Sequence, residues 1–221
     1  DRRFHAEPIA CPVCGPRLAF VAGDANVQGN DEALAATLAA LCAGQIVAIK
    51  GVGGYHLACD ARNAESVTAL RARKPRPAKP LAVMFPDLAA AERCVELRES
   101  ERALLCSPVR PITLARKRPD AVLVADIAPG LNEIGVLLPY APLHHLLCRA
   151  FEGPLVMTSG NLSGEPVLTD AESVERRLGT VADAFLHHNR PIRRPADDSV
   201  FPDLLRLSQG CRQWKTRRPS R

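Results

Sequence analysis

At 221 residues, with 47% hydrophobic and 24% charged side chains, the chain is long enough to bury one substantial core and too apolar for a disordered tail. Its net charge of +5 is mild, and no apolar run approaches the roughly 18 residues of a membrane-spanning helix. Eight cysteines, six of them scattered singly (Cys42, Cys59, Cys94, Cys106, Cys148 and Cys211), argue against a disulfide scaffold and for reduced thiols in a cytoplasmic protein. The opening Asp-Arg-Arg-Phe-His is neither an initiator methionine nor a signal peptide, so an internal piece of a longer polypeptide is expected.

Cys11-Pro-Val-Cys14-Gly15 comes first. Two thiolates on a tight turn suit two corners of a tetrahedral zinc site, but no second Cys-x-x-Cys follows, and His5 still leaves the set one ligand short. Cys11 and Cys14 therefore read either as two thiols in a turn or as half of a site completed upstream. Asn30 to Gly44 predicts a helix, with Asn30 as its cap and Gly44 as its stop, and Ile46 to Lys50 a buried strand. The glycines of Gly51-Val-Gly-Gly-Tyr-His-Leu-Ala-Cys-Asp60 miss the GxGxxG spacing, so this stretch reads as a turn beside a possible ligand.

Asn63 to Lys74 predicts a second helix, stopped by Pro75 and Pro77. From Arg71 to Lys79 the chain holds five basic residues and no acidic one, stiffened by proline, as an anion site requires and as a plain solvated face also permits. Strands follow at Leu81–Phe85, Pro111–Leu114 and Gly135–Leu138, with one or two helices over Pro86–Leu105 and a turn at Ala128–Gly130. Pro142 to Phe151 is a helix carrying His144 and His145, for which packing or capping is favoured over metal binding because no carboxylate shares the helix. The short strand Pro154-Leu-Val156 then feeds Met157-Thr-Ser-Gly-Asn-Leu-Ser-Gly-Glu-Pro166, where hydroxyls, an amide and two glycines at a strand's C-terminal end suit an anion or nucleotide. A helix over Asp170–Gly179 and a strand over Ala184–His187 complete an alternation of strands and helices, which predicts an α/β layered domain.

Six stretches in order carry a resemblance: Gly53–Ala61, Arg73–Met84, Gly135–Leu147, Met157–Pro166, His188–Ile192 and Asp197–Val200. Together they resemble the YrdC-like domain of HypF-type carbamoyltransferases, which mature [NiFe] hydrogenases. Arg-Arg-Phe-His-Ala and Cys-Pro-Val-Cys-Gly-Pro-Arg-Leu resemble the end of that family's zinc-finger region. The resemblance implies a YrdC-like (RibB-like) twisted mixed sheet with flanking helices and a concave nucleotide-binding cleft. It divides the chain into a finger remnant at 1–22, the YrdC-like domain at 23–200 and an atypical basic tail at 201–221.

It also implies ATP-dependent formation of carbamoyl-adenylate, with Mg²⁺ on the triphosphate and Zn²⁺ only where the upstream finger half completes the site. The carbamoyl group derives from carbamoyl phosphate, and its acceptor is a hydrogenase maturation protein with a C-terminal cysteine, served by further domains of the same enzyme. By the family's Lys-x-Arg signature, Lys74 and Arg76 contact the phosphates, with Lys79 and Ser163 nearby. Its Ser-x-Asn signature matches Ser159 and Asn161; Tyr55 lies by the small carbonyl substrate, and Ser199 lines the nucleotide pocket. Two departures stand out: Ala141 replaces the family's threonine, and the pattern stops after Val200. Rival readings are threonylcarbamoyl-adenylate synthesis for tRNA modification, a double-stranded-RNA-binding module of the same fold, and a serine hydrolase built from Ser159, His144 and Asp197. The last lacks the Gly-x-Ser-x-Gly elbow.

Overall fold

The computed structural model describes residues 15–74, 79–162, 165–196 and 200–201. The expected α/β layering is present as one eleven-stranded mixed sheet with helices on both faces. Its strands are β1 (Leu18–Ala22), β2 (Ala25–Gln28), β3 (Val47–Lys50), β4 (Tyr55–Asp60), β5 (Ala82–Met84), β6 (Val95–Glu96), β7 (Ile112–Lys117), β8 (Glu133–Leu137), β9 (Leu155–Ser159), β10 (Ala184–His188) and β11 (Val200–Phe201). The spatial order is β11-β7-β8-β5-β9-β4-β3-β10-β1-β2, with β6 also paired to β7. Neighbours β3/β10, β5/β8 and β7/β11 are parallel; the other pairs are antiparallel.

The helices are α1 (Asn30–Cys42), α2 (Ala64–Arg73), α3 (Leu88–Cys94), α4 (Glu99–Cys106), α5 (Pro142–Phe151) and α6 (Ala171–Leu178). Strand alternation splits the core in two. On one face Ala48, Tyr55, Leu57, Val156 and Phe185 pack with residues of α2, α3, α4 and α6; on the other, Val47, Ile49, Ala58, Met157 and Leu186 pack with α1 and α5. The middle strands β3, β4 and β9 are buried almost end to end, which is why they read as continuous apolar runs.

Four local expectations change. Asn30 is the first residue of α1, not its cap: Gly29 takes the cap position at φ 112°, while the Asn30 amide clamps the start of β1 by accepting from the Leu18 N–H at 2.8 Å. The Gly51–Asp60 stretch is a turn only as far as Gly54, and Tyr55–Asp60 is the strand β4. Met157–Ser159 is strand rather than loop. The hairpin β1–β2, turning at Gly23 with φ 55°, has no counterpart among the sequence expectations. By contrast α5 has the expected bounds, and Asn63 caps α2 by accepting from the Ser66 N–H at 3.1 Å. Cys59, Cys94 and Cys148 are buried free thiols, and burial pushes Cys59 and Cys148 up to about 12, so neither forms a reactive thiolate.

Candidate functional site

The registers collect the C-terminal ends of β3, β9 and β10 and the N-terminal ends of β1, β4 and β5 along one end of the sheet. Lys50 is paired with Tyr55 and His56 with Ser159, so the glycine turn and the Ser159–Asn161 loop stand side by side. Lys74, which follows α2, and the start of β5 lie at this same end.

Lys74 ends α2 and is 2% exposed. Its ammonium donates to the backbone carbonyl of Ser159 and, at 3.2 Å, to Asn161 Oδ1. Asn161 Oδ1 also accepts from Ser159 Oγ at 2.8 Å, and its amide nitrogen donates to the carbonyl of Glu165. Lys74, Ser159 and Asn161, from two sequence segments 85 positions apart, thus form one cluster. Lys74 brings a buried ammonium to this cluster, the kind of group an anion site uses. Among the described residues Ser159 donates to Asn161 and not to a histidine, which removes the base that a nucleophilic serine needs.

Tyr55 meets this cluster from the neighbouring strand β4. Its side chain is fully buried, its hydroxyl lies 2.7 Å from His187 Nδ1, and it meets the loop through its backbone. The Tyr55 carbonyl accepts from Gly160 N–H, its N–H donates to Leu168 O at 3.0 Å, and Leu168 N–H donates to Gly160 O at 3.2 Å. Gly160 has to be glycine: a Cβ there would stand 2.6 Å from the Tyr55 carbonyl oxygen. The turn glycines also answer to packing rather than to a ligand. A Cβ on Gly53 would meet Ala196, and one on Gly54 would meet Val167 at 2.8 Å.

The basic run divides. Arg71 donates to Ile127 O at 3.0 Å and to Lys79 O at 3.3 Å, and Arg73 pairs with Asp183 at 2.6 Å, so both are spent on holding the fold. Lys79 is exposed at the segment's far flank. Arg76, Ser163, Ser199, Asp197, Cys11 and Cys14 lie outside the described residues. His144 is buried among rings, 4.6 Å from Tyr140 and 5.9 Å from His56 between centroids, in keeping with the packing expectation; His145 is exposed.

Sequence reasoning missed a polar chain beneath the loop. His187 Nε2 lies 3.0 Å from Glu175 Oε1 on α6, at ion-pair distance but off the line of a good hydrogen bond, and Phe185 stacks on the ring. Burial, assisted by the nearby Lys50 charge, lowers His187 to about 4, which favours a neutral ring that shares a hydrogen bond with the Tyr55 hydroxyl. Lys50 ends β3 almost buried; its ammonium donates to His188 O at 3.0 Å, and burial lowers its pKa. The only hint in the sequence was a lysine and two histidines closing otherwise apolar strands.

The Sua5/YciO/YrdC family model, described as telomere recombination, matches residues 39–210, and the HypF finger model matches residues 1–21. Carbamoyltransferase HypF of Rhodobacter capsulatus is 52% identical over 95% of this chain and 28% of its own length. Human threonylcarbamoyl-AMP synthase is 33% identical over 78% of this chain and 65% of its own length. A crystal structure of full-length HypF in the phosphate- and nucleotide-bound form superposes with a TM-score of 0.83 at 46% identity, over 91% of this chain and 26% of that one. The chain therefore spans about a quarter of the length of the HypF relatives it matches.

Proposed function

The chain belongs to the Sua5/YciO/YrdC family, in the form that HypF-type carbamoyltransferases carry, and from that premise we propose that it binds ATP and joins carbamate to the α-phosphate. A carbamate oxygen attacks the α-phosphorus, the bond from that phosphorus to the bridging oxygen of the β-phosphate breaks, and pyrophosphate leaves with the electron pair. No protein nucleophile takes part. The protein's work is to bring two anions together and neutralise them. The observation that carries this reading is the buried Lys74 ammonium held against the Ser159–Asn161 loop at the end of a central strand. In it Lys74 and Arg76 meet the phosphates, Lys79, Ser159, Asn161, Ser163 and Ser199 line the nucleotide, and Tyr55 supports the carbamate end through its backbone.

The described residues contain no group of three or more His, Cys, Asp or Glu side chains placed to hold a metal. The cluster itself offers an ammonium, a hydroxyl and an amide, so Mg²⁺ belongs with the triphosphate it accompanies. Zinc at Cys11 and Cys14, the carbamoyl acceptor with its C-terminal cysteine and a cytoplasmic setting are parts of the same proposal. So is the division at 1–22, 23–200 and 201–221, with β1 joining the finger region to the sheet. No helix among the described residues is long and apolar enough to cross a membrane.

The second reading, threonylcarbamoyl-adenylate synthesis, is favoured by the likeness to human threonylcarbamoyl-AMP synthase. Calorimetric titration of the 221-residue chain with ATP and Mg²⁺ tests the shared step. The Lys74→Ala/Arg76→Ala variant is expected to lose about 10²-fold or more in affinity or exchange rate. A folded wild type that does not bind ATP overturns both readings. ATP–pyrophosphate exchange driven by threonine with bicarbonate, and not by carbamate, favours the second. Salt-sensitive duplex RNA binding that ATP leaves intact points to the RNA-binding module.

A further inference from the structure

Helix α6 is tied to the Ser159–Asn161 loop by two independent routes. The first runs through the core: Glu175 lies 3.0 Å from His187, His187 Nδ1 and the Tyr55 hydroxyl share a hydrogen bond at 2.7 Å, and the Tyr55 backbone closes the neck of the loop on Gly160 and Leu168. The second runs over the surface: Arg177, two residues further along α6, pairs with Glu165 at 2.5 Å, and the Glu165 carbonyl accepts from the Asn161 amide nitrogen. The first route ends on Gly160, between the two residues that hold the Lys74 ammonium, and the second on Asn161, one of those two. An ordinary packing contact explains neither. Tyr55 is already fully buried as a ring, so its hydroxyl adds direction rather than area, and the Arg177–Glu165 pair is half exposed, where an isolated ion pair adds little stability.

We propose that α6 is the backing element of the nucleotide site and that Glu175, His187, Tyr55 and Arg177 are positioning residues that set where Asn161 and Lys74 stand. This rests on the adenylation reading above. Nothing in the four side chains need touch the substrate; a displacement of about 1 Å at Asn161 would be enough to slow the chemistry strongly.

The test uses the 221-residue chain carrying Tyr55→Phe, Arg177→Gln, both together, and Arg177→Lys. Three quantities are read for each: the thermal midpoint, hydrogen exchange of the Gly160 amide without ligand, and carbamate-dependent ATP–pyrophosphate exchange as separate kcat and KM. Tyr55→Phe and Arg177→Gln are expected to speed exchange at Gly160 and to lower kcat about tenfold, with KM for ATP within about twofold. The midpoint stays nearly unchanged for Arg177→Gln and falls modestly for Tyr55→Phe, which leaves the buried His187 nitrogen without its partner. Arg177→Lys restores most of the rate, and the double variant loses less than the product of the two single losses because both ties fix one loop. Unchanged Gly160 exchange, or rate losses that simply follow the thermal midpoint, overturn the proposal. If Tyr55→Phe fails to fold, the half-exposed Arg177 pair carries the test alone. A wild type that neither binds ATP nor catalyses exchange sinks the adenylation reading and the positioning role with it. An active wild type with indistinguishable variants overturns the positioning role only.

Discussion

Tyr55 and His56 are neighbours on β4, and the pleat sends them to opposite faces of the sheet, where they meet two different kinds of environment. On the Tyr55 side a phenol, an imidazole and a carboxylate form a polar chain that reaches α6 and the Ser159–Asn161 loop. On the His56 side the rings of His56, Tyr140 and His144 pack edge to face, at centroid distances from 4.6 to 6.5 Å, beneath α5. Burial is similar in both, so the number of buried polar side chains does not separate function from support. What separates them is connection. The first cluster reaches α6 and is continuous with Gly160 through the Tyr55 backbone, whereas the second adds to its ring contacts a Tyr140 hydroxyl–His56 Nε2 contact at 3.3 Å and leads to α5.

The comparison breaks if the His56 face controls the ligand. His144→Ala removes a fully buried ring and is expected to cost about 2–4 kcal/mol of stability, seen as a lower midpoint in urea, while ATP affinity in the folded protein stays within about twofold. A large affinity loss at unchanged stability would reverse the assignment of the two faces. A smaller effect sharpens the other side. Because burial, with Lys50 nearby, depresses His187 from 6.5 to about 4, the unfolded chain takes up that proton first as the pH falls. Stability is therefore lost across that window, by about 1–2 kcal/mol once the opposing Glu175 carboxylate is allowed for. The charged and titratable groups facing the ring are Tyr55, Glu175 and Lys50. His188 is shifted in the same direction, chiefly by burial, so the His187 share is the difference between wild type and His187→Gln in denaturant midpoints at about pH 7 and about pH 4.5. Parallel curves for the two proteins would remove His187 as a titrating group. The smallest effect is Asn63→Ala, which deletes the α2 cap and is expected to cost about 1 kcal/mol. Since the cap lies at the far end of the helix from Lys74, ATP affinity should be unchanged.

Much of this architecture was readable in the chain. The helices α2 and α5 were expected at Asn63–Lys74, with Pro75 and Pro77 as the stop, and at Pro142–Phe151, and they stand at Ala64–Arg73 and Pro142–Phe151, because such signals act within one turn. The Lys74 and Ser159–Asn161 elements were likewise visible as local composition. The strand β4 was read as a loop because its glycine-rich entry and its histidine, cysteine and aspartate mask a segment buried from both sides. Met157–Ser159 escaped for a similar reason: Thr158 and Ser159 look like loop residues until a central strand surrounds them.

By itself, then, the sequence determined what depends on near neighbours: helix starts and stops, apolar strands, a cationic segment, and a run of small polar residues after a strand. Only the tertiary structure decided which of those charges are available. Arg71 and Arg73 are consumed by Ile127, Lys79 and Asp183, while Lys74 turns inward to Ser159 and Asn161. It also decided that Tyr55, His187 and Glu175 form one chain although 132 positions separate the first two. The physical reason is that strand order, set by burying both sheet faces together, determines which strand ends meet. That order is a property of the whole core, which no local stretch of sequence can express.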